Sequence, residues 1–101
     1  MPDGIWVYKQ DSSRIEINYI NGELSGKLIS TRNPNYKPGT AILEDFIFVE
    51  GKWQGRFYVQ SKNLWVEAYL VLKGDFLMIE FDLGYDIKNI HLFKENMKNL
   101  N

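Results

Sequence analysis

The sequence contains no cysteine. Disulfides, thiolate metal sites and a cysteine nucleophile are therefore excluded. The redox compartment stays open, because a cysteine-free domain is stable in any compartment. There is one histidine, and with no second imidazole it makes a poor zinc site, which wants three or four ligands. Net charge is also scarce: 12 basic and 13 acidic residues leave −1. That balance gives no electrostatic reason to expect nucleic acid or anionic lipid as the main partner. No run of about 18 apolar residues exists, so membrane insertion is not expected. No basic segment followed by an apolar one precedes the first strand, so no secretory signal is expected. Internal repeats, low-complexity tracts, linkers and a convincing helical period are all lacking.

What is present is a chain of 101 residues, 45% apolar and 15% aromatic. That length is one domain, able to bury roughly two thirds of its unfolded surface without staples. Its dominant period is two. Residues 5–10 read as a first strand and "DSS" at 11–13 as a turn. "RIEINYI" at 14–20 alternates, with Ile15, Ile17 and Tyr19 on one face. Asn21-Gly22 then carries the strongest short hairpin signal, and "ELSGKLIS" at 23–30 returns. Gly26 inside that strand suggests a bend or a close backbone approach. Strands follow at 41–50, 52–60, 64–73, 76–83 and 87–94, with tight turns placed at Gly51-Lys52, 61–63, Gly74-Asp75 and 84–86. The tail 96–101 is polar and reads as a helical turn or a frayed end.

Eight short strands joined mostly by tight turns predict an all-β, antiparallel up-and-down barrel. At eight strands the interior is just wide enough for side chains or for one small ligand. Closure removes the edges that a chain this rich in β-branched and aromatic residues needs to hide.

The order of motifs resembles a known family. It runs from Gly4-x-Trp6 through "GELSGKLIS" at 22–30, "PGT" at 38–40 and "ILEDF" at 42–46, then to "GKWQGRFY" at 51–58 and "LVLKGDFLMIEFDLG" at 70–84. It is similar to the small bacterial "domain of unknown function 2147" family over about residues 4 to 94. The chain departs from that family's pattern in "YVQSKN" at 58–63, in Glu80-Phe81-Asp82 and in Leu92-Phe93-Lys94. The resemblance implies a lipocalin-like (calycin) barrel in a mostly exported, periplasmic group with no assigned activity. It also implies that Trp6 packs across one closed end beneath a cation, the part that falls to Lys94.

Candidate sites follow from position. The stretch "TRNPNYKPGT" at 31–40 is the longest loop, and long loops at a barrel mouth carry binding residues. Arg32, Asn33, Asn35, Tyr36 and Lys37 offer donors, two cations and one ring, a set that suits an anionic or sugar-like small molecule, or another protein. Alternation puts Trp53, Phe57, Leu64, Val66, Ala68, Leu70 and Leu72 inward. It puts Tyr58, Trp65 and Tyr69 outward, beside Arg56 and Glu67, as a possible partner surface; cross-strand stabilisation is the plainer reading. Asp75, Glu80, Asp82 and Asp86 lack the dense ligand pattern of a calcium loop and read as a solvated face. Ser25, Ser30 and Ser61 stand in no nucleophile elbow, and no Ser-His-acid order stands out around His91. The expectation is a non-enzymatic binding module with no metal or cofactor. It would take a small ligand at the mouth or interior, or else a protein partner on the outer aromatic face.

Overall fold

A computed structural model describes residues 1–95; the polar tail 96–101 lies outside the described residues. The strands are β1 (Gly4–Tyr8), β2 (Ser13–Ile20), β3 (Glu23–Ser30), β4 (Ala41–Val49), β5 (Lys52–Val59), β6 (Leu64–Lys73), β7 (Phe76–Asp82) and β8 (Ile87–Lys94). Each pairs antiparallel with the next and β8 returns to β1, a closed up-and-down barrel of eight strands as the period-two pattern predicts. Asn21-Gly22 makes its hairpin with both residues at positive φ, pairing Ile20 with Glu23. The β4–β5 hairpin sits one residue earlier than the sequence suggests. Glu50 and Gly51 are its central pair, both at positive φ, and Lys52 already pairs with Val49.

Alternation sends Ile15, Ile17, Leu24, Leu28, Phe57, Val66, Ala68, Leu70, Leu77, Ile79 and Leu92 into one buried core. Face assignment is correct for the expected inward set, but Leu64 and Leu72 stand at strand ends and are exposed, and Trp53 is half-buried. In β4 the register slips between Glu44 and Ile47, with Asp45 at positive φ. This extra residue is a β-bulge, and it resets the alternation so that Leu43 and Phe46, three apart, both point inward.

Phe46 is fully buried against Gly55 of β5. A Cβ at Gly55 would lie 2.5 Å from Phe46 Cγ and 2.8 Å from the Glu44 carbonyl oxygen. The small residue thus leaves the space that the ring occupies. Gly26 has a milder version of the same constraint, with Leu43 Cδ1 at 3.1 Å from such a Cβ.

The weakest joint is β1 to β8. Only Trp6↔Lys94 and Val7↔Phe93 are in register, supplemented by a bond from Glu95 N to the Ile5 carbonyl at 2.9 Å. Beyond Phe93 the strands part, and Ile87 to Leu92 have no register partner in β1. A cleft of about 260 Å³ opens there, between Tyr8, Lys9 and Gln10 on one side and Asn89 to His91 and Phe93 on the other. Arg14 straps this joint from outside: its Nε and Nη2 donate to the two Glu95 oxygens at 2.6 and 2.8 Å. These bonds hold the Glu95 carboxyl below its ordinary range, with burial opposing and charge attraction adding, and they raise the Arg14 guanidinium.

Two outcomes follow. Gly55→Ala overpacks the Phe46 contact and lowers stability by about 1–3 kcal/mol, seen as a lower denaturation midpoint; an unchanged midpoint means the Phe46 ring moves aside freely. Glu95 has a lowered folded pKa, so its contribution is complete above the unfolded carboxyl value of roughly 4.3 and is lost as pH falls through the folded value. Glu95→Gln therefore makes the thermal midpoint less dependent on pH below about 5, and identical acid profiles for the two proteins would contradict the strap.

Candidate functional site

In an up-and-down barrel the connections alternate between ends. The segments 9–12, 31–40, 60–63 and 83–86 share one end, and the tight turns at 21–22, 50–51 and 74–75 share the other. The long loop therefore roofs the first end. It is built as two successive turns. Tyr36 N donates to the Asn33 carbonyl at 3.2 Å and Thr40 N to the Lys37 carbonyl at 3.2 Å. Asn33 Oδ1 accepts from Asn35 N at 2.9 Å, an Asx turn. Arg32 N donates to the Asp11 carbonyl at 3.0 Å, tying the roof to the 9–12 turn. The Thr31 hydroxyl bonds buried Ser13 Oγ at 2.8 Å, so the Ser13 hydroxyl has a partner.

This folding brings Tyr36 alone of the expected loop residues inward, half-buried and packed on the core. Arg32, Asn35 and Lys37 are exposed and do not line the cavity beneath. That cavity measures about 190 Å³. Its apolar wall is Ile15, Ile42, Phe57, Val59, Phe81 and Ile90, with the Phe57 and Phe81 rings tilted together at 4.9 Å between centroids. Its polar rim is Tyr8, Asp11, Ser13, Tyr36, Gln60 and Ser61, and Tyr58 borders it. Asp11 Oδ1 accepts from Ser13 N at 3.0 Å. The Tyr8 phenol pKa is raised, first by burial and then by the negative charge of Asp11. Tyr8, Asp11, Gln60 and Ser61 escaped the sequence reading. The signal for them was the strand count itself, because every residue flanking an odd-to-even turn must share an end with the long loop.

The opposite end is closed. Trp6 is 3% exposed, and its Nε1 donates to the Pro2 carbonyl at 3.1 Å. Lys94 Nζ lies 5.1 Å from the Trp6 ring and donates to the Asp3 carbonyl at 2.8 Å. Gly4 has φ +122, and a Cβ there would sit where the ammonium passes, 2.4 Å from Lys94 Nζ. The Gly-x-Trp spacing is accounted for by these contacts. Trp53 packs edge-on against Tyr19 and Phe48, at 6.0 and 5.2 Å, around a shallow hollow also bordered by Met1, Pro2 and Leu72. Phe48 at 60% and Ile20 at 65% are exposed here, an apolar rim the period-two reading did not locate.

On the outer face, Tyr58 and Trp65 are cross-strand neighbours with ring centroids 5.2 Å apart. The Arg56 guanidinium sits 5.2 Å over Trp65 and binds Glu44 and Asp45 at 3.0 and 3.2 Å. Tyr69 lies apart, opposite Gln54 and under Lys52. The three rings are split by the Arg56–Glu67 pair and do not form one patch. His91 stacks on Phe76 at 4.6 Å. Asp86 pairs with Lys88 at 3.4 Å. Among the described residues no group of three or more His, Asp or Glu is placed to hold a metal ion. No family model matches the chain, and neither a curated protein nor a solved structure is significantly similar to it.

Trp6→Ala removes a buried indole and costs about 3–5 kcal/mol, most of the stability of a small domain. Its near-ultraviolet circular dichroism is expected to collapse at room temperature. A folded Trp6→Ala protein with native dispersion would instead make Trp6 a replaceable wall.

Proposed function

We propose that this protein is a non-enzymatic, lipocalin-like binding module that takes one small ligand at the mouth of its barrel. The observation that carries this reading is the cavity of about 190 Å³ under Tyr36, with its apolar wall and polar rim. Binding sites commonly pair such a wall with a few convergent polar groups. Its volume lies below the roughly 300 Å³ at which drug-sized pockets begin, so the ligand is about one ring in size. The rest of the barrel is filled by fully buried side chains such as Leu24, Leu28, Phe46, Leu77 and Leu92, which favours the mouth over a deep interior site. Kinship with the "domain of unknown function 2147" family belongs to the same proposal. It is supported by the motif order and by Trp6 beneath Lys94. The non-enzymatic part is supported by the satisfied Ser13 hydroxyl and by His91 stacked on the outside.

A second reading, an accessory or inhibitory protein-interaction domain, draws on one observation. Phe48, Tyr19 and Leu72 are exposed and border one hollow at the closed end. The outer rings Tyr58 and Trp65 argue for it less, since both are half-buried and partnered within the chain.

The test is a set of single-ring fragments followed by amide chemical shifts. Shifts are expected to cluster at Tyr8, Asp11, Tyr36 and Gln60. Ser61→Trp places a bulky ring at an exposed rim position and is expected to abolish them without loss of fold. Shifts concentrated around Phe48 and Trp53, or binding indifferent to Ser61→Trp, would replace the mouth reading with the second one.

A further inference from the structure

We propose that the mouth selects a small organic cation, an amine carried on one apolar ring, with Asp11 as its counter-ion and the Tyr8 and Tyr36 rings beside it. This rests on the ligand-binding reading and names its ligand class. Asp11 is half-buried at the rim. Its Oδ1 is used by Ser13 N, while its Oδ2 accepts no hydrogen bond and joins no ion pair among the described residues. No lysine or arginine lines the cavity. The cations nearest in sequence are engaged or turned away. Lys9 lies 4.1 Å over the Phe93 ring, Arg14 is held by Glu95, and Arg32 and Lys37 are exposed on the loop's outer side.

A half-buried carboxylate with one oxygen free of protein donors can take a charge-assisted hydrogen bond from an incoming ammonium. Aromatic faces next to it add cation–π attraction, strongest where water is excluded. The Tyr8 phenol is raised first by burial and then by the negative charge of Asp11, and that charge disfavours an anion at the mouth. The Phe57–Phe81 pair below gives the ligand's ring an aromatic surface. The anionic ligand suggested by Arg32 and Lys37 loses its basis, since neither cation lines the cavity.

The experiment is titration calorimetry with three single-ring probes of similar shape: 2-phenylethylammonium, neutral 3-phenyl-1-propanol and 3-phenylpropionate. The ammonium is expected to bind about tenfold tighter than the alcohol, a factor worth about 1.4 kcal/mol, and the carboxylate not measurably. Asp11→Asn keeps an Oδ1 acceptor for Ser13 N and is expected to leave the thermal midpoint in place. It is expected to bring the ammonium down to the alcohol's affinity while leaving the alcohol unchanged. If the alcohol or the carboxylate binds as well as the ammonium, or if Asp11→Asn leaves the preference intact, the cation proposal fails. The mouth reading survives that failure provided Ser61→Trp still blocks the probes. If none of the three binds, both fail.

Discussion

The packing of Trp6 beneath Lys94 is what allows a five-residue first strand to close an eight-stranded barrel. Two rungs of register are a thin seam, and a seam of that length contributes little by hydrogen bonding alone, at about 0.5–1.5 kcal/mol net per bond. The indole buries a large apolar area at that point, and its own N–H is satisfied by Pro2. Lys94 covers its face, and Gly4 leaves the space for the ammonium. Arg14 and Glu95 fasten the same corner from outside. The Lys94 and Glu95 contacts join the first strands to the last, and together they do the work of the missing rungs.

The architecture was legible because a period of two says which face a residue takes. It does not say how far along the barrel axis a residue stands. Leu64 and Leu72 have the inward parity of Val66 and Leu70 yet are exposed, because they occupy the rims. The bulge at Asp45 is a second blind spot: one residue at positive φ shifts the parity of the rest of β4, and an Asp between charged and aromatic neighbours does not announce it. The mouth of the barrel was legible in location, but not which side chains face it. The longest loop does cover the mouth, but its own two turns face Arg32, Asn35 and Lys37 outward and leave only Tyr36 over the cavity. Asp11 and Tyr8 look like ordinary turn and strand residues until the 9–12 turn and the 31–40 loop are known to touch.

The two ends of the molecule divide the labour. Large side chains fill the barrel at the closed end and through its middle, so rigidity is concentrated there. At the open end the inward positions of β1 and β2 carry Tyr8 and Ser13 in place of aliphatics, and the loop supplies a lid that is hydrogen-bonded to itself. A cavity can persist there because its walls are anchored to a packed core and its polar groups can be hydrated when no ligand is present.

The short seam between β1 and β8 has a kinetic side. Seven of the eight strand pairings are between neighbours in sequence and can form as local hairpins and meanders. The eighth joins the first strand to the last, with Arg14 and Glu95 separated by 81 positions. Loop closure of that length is the entropically dear step, and non-local pairing is what slows β-barrels as a class. Seven pairings alone make an open sheet of eight strands, and only the eighth makes it a ring. The contacts around Trp6 belong to the pairing that carries this closure cost.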